Sequence, residues 1–177
     1  MLFALIRVGS DTKRSFEDIL MKKQRGFSLI ELLIVVAIIL IIAAIAIPNL
    51  MRAHMSANES SAANSIRSIN TSEVSYFATY PAVGFASLAA LGGAQPCTPS
   101  VATGCFLDNF LATNGGGTGK DGYTFSITGP SLFGYTSLAA PLTLNQSGSS
   151  SFCSDQTGLI YKNAGSITCN NTATPLQ

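Results

Sequence analysis

Lys22-Lys23-Gln24-Arg25-Gly26-Phe27-Ser28-Leu29-Ile30-Glu31, followed by LLIVVAIILIIAAIAI over residues 32–47 and then Pro48, is the stretch that decides the fold. Sixteen apolar residues stand in a row, and the chain stays uncharged through Met51, which puts twenty residues between Glu31 and Arg52. As a helix rising ~1.5 Å per residue, such a run crosses about 30 Å, the hydrocarbon thickness of a bilayer. A buried core helix is the alternative, but no remaining segment is suited to cover a helix that is apolar all round. Bases cluster just before the run. The positive-inside rule therefore places that end in the cytoplasm and the C-terminal part outside it.

The surrounding composition agrees. Of 177 residues, 47% are hydrophobic and only 11% charged. That excludes a disordered chain and argues against a partner made of nucleic acid. The net charge of +1 conceals a basic head: six bases stand against three acids up to Arg25, and four against six from Gly26 on. A secretory signal would have a shorter apolar region before a small-residue cleavage site. Here the run is long, and it carries Glu31 at its border, where a charge in hydrocarbon costs ~2.5–3.5 kcal/mol.

The basic leader, Gly26, Phe27, a carboxylate four residues later and the apolar run together resemble the class III signal of type IV pilins and type II secretion pseudopilins. The resemblance is specific over residues 21–48 and weaker beyond. It implies that a prepilin peptidase in the membrane cuts between Gly26 and Phe27 and that the new amine of Phe27 is methylated. Gly26, without a Cβ, lets the backbone extend into a narrow protease site. Glu31, surrounded by apolar helices in a fibre, needs a cation, and the amine of Phe27 is the one that cleavage creates; both residues are thereby assembly residues. Pro48 removes a helical hydrogen bond, so a helix kink is expected there.

The resemblance also implies an α+β pilin fold, a long N-terminal helix packed by its upper half on a small antiparallel sheet. The expected organisation is a removable leader 1–26, an assembly and transmembrane helix 27–51, an amphipathic upper helix 52–81, a connecting loop region 82–121 and a sheet 122–177 with a C-terminal disulfide loop. Within the leader, residues 1–20 precede a second methionine, Met21, where translation is expected to start; a genuine long leader is the alternative. Ile66, Ile69, Tyr76 and Tyr80 fall on one helix face, and Pro81 ends the helix. Tyr123, Phe125 and Ile127 alternate with Thr124, Ser126 and Thr128 as a half-buried strand. Residues 133–140, stopped by Pro141, read as a second strand; Phe152-Cys153-Ser154 and Leu159-Ile160-Tyr161 read as the third and fourth.

Four cysteines, Cys97, Cys105, Cys153 and Cys169, lie on the outer side, an even count that suggests two disulfides. Proximity favours Cys97–Cys105 and Cys153–Cys169, although three connectivities are open. No metal site is expected: no C-x₂-C pair occurs, and the lone His54 is far from the cysteines. Asp108, Asp121 and Asp155 form no visible calcium cluster. Residues 114–120 fail the phosphate-loop pattern at Asn114 and at Asp121 and read as a flexible turn. With no cofactor expected and no set of nucleophile, base and orienter, the chain is read as a non-enzyme. The expected partners are other copies of itself, prepilin peptidase, the pilus or secretion assembly machinery of the inner membrane, and lipid before assembly. The precursor is placed as a single-pass inner-membrane protein that moves to a cell-surface pilus. A secretion pseudopilin and a non-polymerising, signal-anchored binding protein are the competing readings.

Overall fold

The computed structural model describes residues 26–165 and 174–176. The chain divides into two units between Ile45 and Ala46, and helix α1, Leu29–Thr79, supplies residues to both. Up to Ile45, α1 is almost wholly Leu, Ile, Val and Ala. No side chain from Leu29 to Ile45 is buried. A helix that satisfies its own backbone needs no partner for its polar groups, and that makes it stable in an apolar surrounding. The helix runs on through Pro48, whose missing N–H leaves the Ala44 carbonyl without its usual donor.

From Ala46 on, α1 turns one-sided. Ala62, Ala63, Ile66, Ile69 and Tyr76 are buried, and Tyr80 packs against the same core, which is the face expected from their spacing. Small Ala62, Ala63 and Ser65 admit a close neighbour. Two short helices, α2 (Leu88–Leu91) and α3 (Asn109–Ala112), bring Leu91, Leu111 and Ala112 to this core. Their N-caps explain where they start: Ser87 Oγ accepts from the Ala90 amide at 3.4 Å and Asp108 from the Leu111 amide at 3.2 Å.

The sheet is an antiparallel meander in sequence order: β1 Tyr123–Thr128, β2 Thr136–Pro141, β3 Ser150–Asp155, β4 Ile160–Ala164 and β5 Thr174–Pro175. Tyr123 and Phe125 point inward as their alternation requires. The fold class is thus α+β, with one long apolar helix and a small antiparallel sheet. Two strand limits differ from those expected. β2 begins at Thr136 because residues 131–134 close a turn on Ser131, and it includes Pro141, which pairs with Tyr123 at the strand's last position. The fifth strand, beside Tyr161 and Lys162, has no counterpart in the sequence pattern.

Polar anchors hold α1 to the sheet. Asn58 Nδ2 donates to the Ser147 carbonyl at 2.9 Å. Glu59 accepts from the Ser149 amide and hydroxyl at 2.9 and 2.7 Å and pairs with Lys162 at 2.9 Å. Partial burial works against its charge, but the Ser149 and Lys162 bonds outweigh it and hold the carboxyl below its ordinary range. Farther along, Asn70 donates to Ser154 Oγ at 2.7 Å and accepts from the Tyr135 hydroxyl at 3.0 Å.

Glu73 breaks the pattern of a satisfied interior. It is fully buried; Oε2 accepts from the Ala86 amide at 2.9 Å, while Oε1 has no partner among the described residues. Burial pushes its carboxyl up to about 7, the Ala86 bond opposing. Two titratable groups feel it: burial raises Tyr76, followed by Tyr80 and this carboxylate, and burial raises Tyr135, followed by this carboxylate and Asp155. The folded value exceeds the ordinary 4.5, so the stabilising contribution is complete below pH 4.5 and is lost as pH climbs through about 7. Glu73→Gln is expected to flatten this loss, on the order of 3 kcal/mol, in urea unfolding of the detergent-solubilised chain between pH 4.5 and 8. An unchanged pH dependence counts against the assignment.

Cys97 and Cys105 form a disulfide with Cα atoms 6.0 Å apart, in the segment leading from α2 to α3. Cys169 lies outside the described residues, and with it the expected Cys153–Cys169 pair; no described cysteine is free. Converting Cys97 and Cys105 to Ser together should cost ~2.5 kcal/mol by loop-closure entropy, read as a lower urea midpoint for the double variant.

Candidate processing and assembly segment

Gly26, Phe27 and Ser28 precede α1 and have no regular structure. Helix α1 begins where the Ser28 carbonyl accepts from the amides of Glu31 and Leu32 at 3.1 and 3.2 Å. The Gly26–Phe27 bond therefore stands outside the helix in exposed backbone, the state in which a protease can draw a chain out. A Cβ built on Gly26 meets nothing within 4 Å. Nothing among the described residues requires glycine at this position. Phe27 is 79% exposed.

Glu31 sits in the first turn of α1, where the helix dipole favours a carboxylate by ~0.3–1 kcal/mol. Neither ion pair among the described residues involves it. Phe27 precedes it by four residues, the spacing of neighbours on a helix face, yet lies outside the helix. Beyond Glu31 the apolar surface is continuous: Leu32, Ile39, Ile42 and Ile45 are each more than half exposed. Patches of that size on a chain in water mark a surface meant for lipid or for another protein.

The other singled-out residues lie elsewhere. His54 is an exposed residue of α1. Asp121 accepts from Ser61 at 2.6 Å and pairs with Lys120 at 3.4 Å, and Asp155 accepts from the Thr157 amide at 2.9 Å. With Asp108 on its cap, each carboxylate serves its own local turn or helix contact. The glycine-rich stretch forms a regular turn. Gly115–Gly117 is a 3₁₀ turn, and Asn114, at a left-handed φ of 51°, accepts from the Phe125 amide at 2.7 Å, tying the turn to β1. Sequence reasoning passes over Glu59, Asn70 and Glu73. For Glu73 a signal exists, because it occupies the i+7 position of the stripe that starts at Ile66.

A family model described as the prokaryotic N-terminal methylation motif matches residues 21–47. The type IV major pilin protein PilA of Myxococcus xanthus is 47% identical over 55 residues, 31% of this chain and 25% of that protein. The type IV wide pilus major component PilA4 of Thermus thermophilus is 59% identical over 39 residues, 22% of this chain and 30% of that one. The chain thus spans less than a third of the length of either relative. Residues 21–47 carry a prepilin-type methylation motif, and the chain is similar in part to the major subunits of type IV pili.

Proposed function

We propose that the chain is the precursor of a structural subunit of a type IV pilus, serving adhesion or motility through assembly and not through catalysis. It is anchored in the inner membrane by residues 27–51 with the later residues outside the cytoplasm, is cut after Gly26 by prepilin peptidase and methylated on Phe27. It then polymerises with other copies of itself through that helix, handed on by the assembly machinery. The observation that carries this reading is the uncovered apolar surface of α1, most of which lies within the matched residues 21–47. The same surface faces lipid before assembly and neighbouring helices afterwards.

Glu31 sets the register in this scheme. Buried among helices without a cation, it would cost several kcal/mol, so the positive amine of Phe27, on its own or an adjacent subunit, selects the alignment in which the two meet. Pro48 is where we place a bend of the helix. The Cys97–Cys105 disulfide supports an oxidising compartment for the second unit.

Fibres sheared from cells should contain the chain beginning at Phe27 and one methyl group heavier, read by N-terminal sequencing and intact mass. A chain beginning at Met1 or Met21 and confined to membranes would sink the proposal. Gly26→Val leaves the fold intact, since the position is open, and is expected to abolish processing and fibre incorporation. Glu31→Gln is expected to be processed normally and to drop out of the fibre fraction.

A further inference from the structure

The chain has four methionines and one histidine. Met1 and Met21 lie in the stretch read as leader; Met51 and Met55 flank the sole histidine, His54. Every thioether and imidazole downstream of Gly26 therefore falls within residues 51–55 of α1. Met51, His54 and Met55 stand at i, i+3 and i+4, positions that share one helix face with Cβ atoms about 5–6 Å apart.

Farther along the chain the same face is the buried stripe of Ala62, Ile66 and Ile69, and Asn58 is tied to the Ser147 carbonyl. Before Asn58 that cover is lost. Met51 is 51% exposed, His54 is exposed and Met55 is half-buried. Core packing thus accounts for neither Met51 nor His54. Among the described residues His54 has no hydrogen-bond or ion partner, so its ring is not engaged in holding the fold.

We propose that Met51, His54 and Met55 bind a soft monovalent cation, Cu(I), through two thioether sulfurs and one imidazole nitrogen. Thioethers select Cu(I), and imidazole suits copper. The flexible methionine side chains let both sulfurs turn toward one point beside the ring. Hard cations need oxygen ligands, and the carboxylate on the next turn, Glu59, is taken by Ser149 and Lys162. Arg52, adjacent in sequence, takes part in neither ion pair among the described residues, and its charge repels a divalent ion about twice as strongly as a monovalent one at equal distance. Thiols do not compete among the described residues, because Cys97 and Cys105 form a disulfide and no described cysteine is free. The site stands apart from the pilus reading and holds or fails independently of it.

The test titrates Ag(I), a redox-inert ion of the same charge and preference, into the detergent-solubilised full chain in chloride-free buffer, after N-ethylmaleimide has blocked any thiol. Calorimetry is expected to show one ion bound per chain, and Met51→Leu, Met55→Leu and His54→Gln are each expected to lose that binding. Met1 and Met21 remain in every variant, so they cannot produce the difference. Zn(II) is expected to bind to none of the four proteins. Absence of Ag(I) binding to the unsubstituted chain would overturn the proposal, as would binding that survives all three substitutions or Zn(II) binding of equal strength. Met→Leu keeps the apolar volume, and urea midpoints check that the variants fold. Should a variant prove unfolded, X-ray absorption of the unsubstituted chain loaded with Cu(I) under ascorbate decides: a shell of two sulfurs and one nitrogen is expected, and a shell without sulfur overturns the site.

Discussion

The structure depends on one uncompensated surface. From Leu29 to Met51 the chain presents apolar side chains on every side of a helix and supplies nothing among the described residues to cover them. Burying apolar surface is worth roughly 25 cal/mol per Å², so such a segment finds an external cover before anything else is settled. In the proposed assembly, Glu31 at its border would convert a non-directional attraction into a directional one. Packing alone lets apolar helices slide past each other, but an acid in their midst admits only those alignments that bring a cation to it.

The second unit meets the same helix under the opposite constraint. Its part of α1 is mostly polar, and burial is confined to a stripe in which Ala62, Ile66, Ile69 and Tyr76 join the core. Fixed bonds at Asn58, Glu59 and Asn70 determine where along the helix the sheet sits. Glu73 is the exception within this stripe: an acid where the period calls for an apolar residue, half satisfied by the Ala86 amide. Its protonation ties the stability of this unit to pH in a way that the salt-bridged Glu59 does not.

Much of this is legible in the residues. The apolar run, the leader and Glu31 are read directly, because a helix of bilayer length that is apolar all round has no place in the interior of so small a domain. The Tyr123–Thr128 alternation and the Ile66–Tyr80 stripe also declare their elements, since period 2 and period 3.6 are physically distinct. What stays hidden arises from contacts far apart in sequence. Nothing local announces that Ser131 closes a turn, that Asn114 anchors β1, or that residues 174 and 175 form an edge strand. The glycine-rich turn reads as loose because glycine is permissive, and the hydrogen bond that holds it comes from Phe125, eleven residues away.

The strand order carries a kinetic meaning. Because β1 to β5 are neighbours both in sequence and in space, each hairpin can form as soon as its residues are available, with short loops to close. The slow step is then the joining of the finished meander to α1 through Asn58, Glu59 and Asn70, whose partners lie 65 to 103 residues away. Closing loops of that length dominates the entropic barrier. A chain whose first helix is already held in place by its apolar run has one end of that closure fixed in advance, and the sheet has only to find it.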